Sequence, residues 1–177
     1  REETIVAFWA FSRIPFKESS SRHPEVIRIA NIIGRTPAAL NMKIGNIGRL
    51  DPSLAQQGIT GLTHGAKMEE EVWQAFAADP EMLAVESQRI LSQLSGRTIE
   101  ETAEIDLDNL PQGRAREAVV KQRIGQSFFR TAVLTSYNNR CCITGVAEPK
   151  LLEACHILDW SENERLRTDP RNGLCIN

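Results

Sequence analysis

Residues able to do chemistry gather near the C-terminal end of the 177-residue chain. They fall in three stretches: Arg140-Cys141-Cys142-Ile143-Thr144-Gly145, Leu151-Leu152-Glu153-Ala154-Cys155-His156-Ile157 and Asp169-Pro170-Arg171-Asn172-Gly173-Leu174. His156 closes an apolar segment, and Asn172 stands 16 residues further on. A neutral imidazole can take a proton from water near pH 7; a structural histidine after a buried strand is the plainer alternative. All four cysteines, Cys141, Cys142, Cys155 and Cys175, lie in the same region without a C-x-x-C pair. With no signal sequence at the start of the chain, free thiols are the default. A structural zinc site from Cys141 or Cys142 with Cys155 and Cys175 competes with that reading. It is the weaker one, because adjacent cysteines point to opposite faces of a strand. His23 and His64 are isolated. Gly58, Gly61 and Gly65, with Thr60 and Thr63 among them, match neither phosphate-loop pattern, so residues 51–66 read as a loop-like connector.

The chain that positions these residues is of ordinary composition, 41% hydrophobic and 25% charged with a net charge of −2, which suits a protein of one or two domains. No apolar run approaches the ~18 residues of a membrane span, no signal peptide opens the chain, and a cytoplasmic location is expected. The chain begins at Arg1 rather than Met and ends inside a motif, so it is expected to be a fragment of a longer protein. Charge is segregated: residues 1–50 carry net +4, residues 51–113 net −9 and residues 114–177 net +3. Basic ends suit a polyanion.

The first 96 residues read as helical. Ile5, Val6, Phe8 and Trp9 share a helical face that Pro15 stops. Val26, Ile29, Ala30 and Ile33 form a stripe at i, i+3, i+4, i+7, Gly34 ends that helix, and Thr36 with Pro37 starts the next. Helix, glycine turn and capped helix predict a helix-turn-helix-like unit, with Ala30, Gly34 and Leu40 at its crossing. Its second helix offers Asn41, Lys43 and Asn46, with Arg35 and Thr36 before and Arg49 after, as DNA contacts. Val72, Trp73 and Phe76 mark another helix, Asp79-Pro80 starts one that Gly96 ends, and residues 97–113 read as an acidic linker. From Arg114 a basic helix carries Val119, Val120, Ile124, Phe128, Phe129, Val133 and Leu134, with a break expected near Gly125. Cys142-Ile143 then reads as a short strand, Thr144 to Lys150 as a turn, Leu151 to Ile157 as the return strand, and Asn172-Gly173-Leu174 as the start of a helix.

Strand, turn, strand ending in histidine, loop and Asn-Gly-Leu: this order resembles the HNH, or ββα-metal, endonuclease family, in particular its bacterial restriction-endonuclease-like members. The upstream Gly34-Arg35-Thr36-Pro37-Ala38-Ala39-Leu40 and Leu50-Asp51-Pro52 stretches also look like the domain preceding the nuclease in such proteins. The resemblance implies an α+β protein, with a helical DNA-binding domain over residues 1–96, a linker over 97–113 and an HNH module over 114–177. It implies a metal-dependent endonuclease acting on double-stranded DNA in restriction of foreign DNA, with His156 as general base and Asn172 holding it in register. A divalent metal such as Mg²⁺ is implied, Zn²⁺ less so. The family's last metal-binding histidine would fall beyond Asn177, so the chain alone is expected to be inactive. Where many such sites have Asp or His before the base, this chain has Cys155, a soft ligand poorly suited to Mg²⁺, and Glu153 on the same strand face is the substitute. Restriction enzymes are often dimers, so a homodimer is compatible with this reading. The alternative is a DNA-binding or regulatory protein whose HNH-like module only scaffolds.

Overall fold

The computed structural model describes residues 1–59, 65–106 and 110–177; Gly61, Thr60, Thr63 and His64 lie outside the described residues. Helices α1 (Glu2–Phe11), α2 (Pro24–Ile32), α3 (Pro37–Gly48), α4 (Pro52–Gln56), α5 (Lys67–Phe76), α6 (Pro80–Ser95), α7 (Ile99–Thr102) and α8 (Arg114–Ser136) precede an antiparallel pair, β1 (Glu153–His156) and β2 (Gly173–Ile176). Helix starts follow local chemistry. Thr36, Asp51 and Asp79 each accept an N–H of the following turn and stand before a proline, which has no N–H to lose at that position. Gly34 takes φ 66° between α2 and α3, where a side chain would be strained. Among the described residues no helix is long and apolar enough to cross a membrane.

Helix α1 lies at the centre of a helical body. Every side chain from Thr4 to Ala10 is buried, so α1 has no solvent face over that span. Around it pack Val26, Ile29 and Ala30 of α2, Leu40, Ile44 and Ile47 of α3, Val72 and Phe76 of α5, and Leu83, Ile90 and Leu91 of α6. The stripe on α2 is therefore core. The stretch expected to be a loop-like connector contains α4. The acidic stretch after Gly96 contains α7, whose Thr98 and Glu101 form a capping box, and its Ile99, Ala103, Ile105 and Leu110 pack against the core.

Helix α8 joins the two parts of the molecule. Val120, Ile124, Phe128 and Ala132, four residues apart, face the helical body, as helical spacing requires. Their neighbours Phe129 and Val133 face a second, smaller core with Cys141, Leu152 and Cys175. The helix runs unbroken through Gly125. A Cβ there would come within 3.0 Å of Thr168 Cγ2, so the glycine admits the C-terminal module close to the helix.

The expected hairpin is corrected. Cys142-Ile143 is not a strand: residues 142–144 form a turn, closed by Gly145 N–H donating to the Cys141 carbonyl at 3.0 Å. The partner of β1 is β2, in the register Glu153↔Ile176, Ala154↔Cys175, Cys155↔Leu174, His156↔Gly173. Asn172-Gly173 therefore opens a strand rather than a helix, following a 3₁₀ turn over Pro170–Asn172. Gly173 is dictated by packing, since a Cβ would lie 2.3 Å from Val133 Cγ2 and 2.9 Å from Phe129 Cζ.

Candidate active site

His156 is the last residue of β1 and faces α8. Its imidazole stacks on Phe129, with centroids 3.8 Å apart and planes within 4°, and meets Trp160 edge-on at 5.6 Å. Its Nε2 lies 2.9 Å from the Arg167 carbonyl oxygen. A carbonyl oxygen only accepts, so Nε2 donates, and in the neutral imidazole Nδ1 carries the lone pair. Two rings and one hydrogen bond thus set both the plane and the tautomer of the imidazole.

The loop that supplies Arg167 is tied down by polar side chains. Asn172, 7% exposed, accepts the Leu158 N–H at Oδ1 (2.9 Å) and donates from Nδ2 to the carbonyls of Leu158 (3.1 Å) and Leu166 (3.2 Å). Its own carbonyl accepts the Ile157 N–H at 2.8 Å. One asparagine therefore grips both ends of the loop that starts beside His156. Arg167 donates to the Trp160 carbonyl at 2.7 Å and places its guanidinium 5.3 Å from the Trp160 ring centroid. Asp169 is buried and accepts the Arg171 N–H and guanidinium. Burial alone would raise its carboxyl, but the Arg171 hydrogen bonds more than offset this and hold it below its ordinary value. Residues Phe129, Trp160 and Arg167 were invisible to sequence reasoning about the site. The one signal was the aromatic pair Phe128-Phe129, which periodicity could assign only to a core.

The structure brings His156 and Asn172 together through strand pairing, but not the other C-terminal candidates. Glu153 and Cys155 lie on the outward face of β1, opposite Ala154 and His156. Glu153 pairs with Arg130 at 2.8 Å. Asp159 is exposed in the loop after β1, near enough to His156 for a protonated imidazole to act on it. Its carboxyl is lowered chiefly by hydrogen bonds from the Ser161 hydroxyl and N–H. Among the described residues no group of three or more His, Cys, Asp or Glu is placed to hold a metal ion. The four thiols are free; Cys141 and Cys175 are buried, Cys142 and Cys155 exposed.

The residues expected to contact DNA sit in and around α3. Thr36 caps the helix, accepting the Ala39 N–H at 3.2 Å. Asn41 accepts the Ser19 hydroxyl at 2.7 Å, Lys43 lies 3.6 Å from buried Glu69, Asn46 Oδ1 is buried without a hydrogen-bond partner among the described residues, and Arg49 pairs with Glu70 at 2.9 Å. Arg35 pairs with Glu3 yet leaves 55% of its side chain exposed, against 32% for Lys43 and 19% for Arg49.

No curated protein and no solved structure matches the chain. The C-terminal segment does have a counterpart: residues 141–177, which hold β1, the Asn172-clamped loop and β2, match the family model described as HNH endonuclease.

Proposed function

We propose that the C-terminal module is the proton-abstracting part of a DNA endonuclease, with Nδ1 of His156 as general base. The contact between Nε2 and the Arg167 carbonyl is the observation that carries this reading. In the neutral ring it places the proton on Nε2 and the lone pair on Nδ1, and Phe129 fixes the plane. In phosphodiester hydrolysis Nδ1 would take a proton from the water that attacks phosphorus, and an oxygen of the broken ester would leave. Asn172 acts as a positioning residue, because it fixes the loop whose carbonyl orients the imidazole.

HNH nucleases generally use a divalent metal, which stabilises charge on the leaving oxygen when bound. The described residues do not gather a complete donor set for it. Glu153 and Cys155 face away from His156, so as ligands they would need another copy or segment to complete a site. The chain by itself is accordingly expected to cleave weakly or not at all. Double-stranded DNA is the substrate this reading requires, restriction of foreign DNA by a cytoplasmic enzyme is its setting, and a homodimer is compatible with it. The helix-turn-helix-like pair α2–α3 would lie against the duplex through Arg35 and the first turn of α3, since Lys43 and Arg49 are engaged within the helical body.

Nicking of supercoiled plasmid in Mg²⁺ or Mn²⁺ by the protein carrying this chain is the test. His156→Ala should lower nicking by about 10²-fold or more while DNA affinity stays unchanged. Undiminished nicking overturns the assignment, and DNA binding with no nicking by the unsubstituted protein leaves a DNA-binding scaffold.

A further inference from the structure

A cleft of about 780 Å³ opens between the helical body and the C-terminal module, within the size range of small-molecule sites. One wall is aromatic. Phe11, Phe16 and Trp73 line it and are only half-buried. Phe11 meets Phe16 at 6.1 Å and Trp73 at 6.5 Å, edge-on in both cases, and Trp73 is backed by Phe8 in a stack at 4.8 Å. Rings of this size left half-open in a concave surface offer π faces to a planar ligand. Ile157 and Gly173, the chain neighbours of His156 and Asn172, contribute to the other side. The lining holds two cations and two carboxylates: Lys17 is exposed and without a partner among the described residues, Arg171 is 82% exposed, and the carboxylates are already engaged, Asp51 by the Ser53 N–H and Asp169 by Arg171. A planar ring with anionic groups attached satisfies the aromatic wall and the cations together, which a purely apolar ligand would not.

We infer that this cleft receives a nucleobase displaced from the DNA substrate, stacked on the Phe11–Trp73 wall, with neighbouring phosphates at Lys17 and Arg171. The inference rests on the nuclease reading, because the module beside His156 is what brings DNA to the mouth of the cleft. Displacing a base loses its stacking in the duplex, and stacking on aromatic side chains compensates with little regard to base identity. Bases that are mispaired, bulged or otherwise loosened leave the duplex most readily, so the cleft should favour DNA that contains them.

The experiment uses a chain in which Trp73 is the sole tryptophan, made by Trp9→Phe and Trp160→Phe and checked for fold by circular dichroism. It is titrated, without metal, with a duplex carrying a one-nucleotide bulge, the same duplex with an abasic bulge, a fully paired duplex and a deoxynucleoside monophosphate. Competition binding with the unsubstituted chain ranks the same four ligands independently of the tryptophan replacements. The bulged duplex should bind about tenfold tighter than the abasic or paired forms and should alone quench Trp73. Ala77→Phe, which narrows the cleft, should erase that preference while leaving affinity for paired DNA. Equal affinity for the three duplexes with no quenching overturns the inference and leaves the nuclease reading standing. Monophosphate binding as tight as the bulged duplex makes this a free-nucleotide site and also overturns it. Failure to bind any DNA overturns both readings.

Discussion

The helical body and the C-terminal module are ordered by different means. The body surrounds a helix that is buried from Thr4 to Ala10 with apolar stripes from the neighbouring helices. The module has two four-residue strands and a core of five buried side chains, two of them from α8. An isolated two-stranded pair is at best marginal in water. The module is instead held by side chains that bond the backbone, namely Asn172 to Leu158 and Leu166, Arg167 to Trp160, His156 to Arg167, and Arg130 to the Leu152 carbonyl. Apolar burial is tolerant of exact geometry, whereas bonds to buried carbonyls and N–H groups fix it and are costly when left unmade. The part with the candidate base is thus built from the more geometrically demanding interactions.

The sharpest way to break this comparison uses two adjacent residues. Phe128→Ala and Phe129→Ala should each cost about 3–5 kcal/mol, but in different places. Phe129→Ala should strip hydrogen-exchange protection from the β1 and β2 amides and abolish nicking. Phe128→Ala should act first on α1 and α6. Identical exchange patterns would mean the two cores are one cooperative unit. Next in size, Asn172→Ala leaves the Leu158 N–H and two carbonyls unpaired and should cost about 2–4 kcal/mol; thermal melts measure it, and a loss of under about 0.5 kcal/mol would remove the asparagine as the loop's clamp.

A smaller effect follows from Asp169. Its folded carboxyl lies below the ordinary 3.8, so its contribution is fully present above that value and is lost as pH falls through the lowered one. Acid titration followed by module amides should show that loss, and Asp169→Asn should flatten it. Smallest is Glu153→Gln. Its ion pair with Arg130 is exposed, with 73% of the Glu153 side chain open, and should be worth about 0–1 kcal/mol. Nicking that collapses in this variant would show Glu153 serving the chemistry after all.

What could be read from the sequence divides along the same line. Helix starts at Thr36 and Asp79, the stop at Gly34 and the stripe on α2 depend on neighbours within one or two turns, so local chemistry reveals them. The partner of β1 does not. Cys142-Ile143 and Gly173–Ile176 are both short and apolar, and only the packing of Gly173 under Val133 and Phe129 selects the second. The same packing makes Gly173 the start of a strand where the sequence predicts the start of a helix. His156 and Asn172 were visible as residue types at a spacing, while the ring beneath the histidine and the carbonyl that sets its tautomer come from segments 27 residues before and 11 after it, beyond any periodic signal.

The alternation along α8 has a consequence for anyone who would dissect this protein. A cut before Arg114 that releases the HNH-matching part with its supporting helix would uncover Val120, Ile124, Phe128 and Ala132 as one continuous oily seam. A cut after α8 would instead leave the imidazole without its Phe129 floor. Either boundary opens one of the two cores. The C-terminal module and the helices before it therefore form one unit for engineering, with α8 as the beam both halves are built onto.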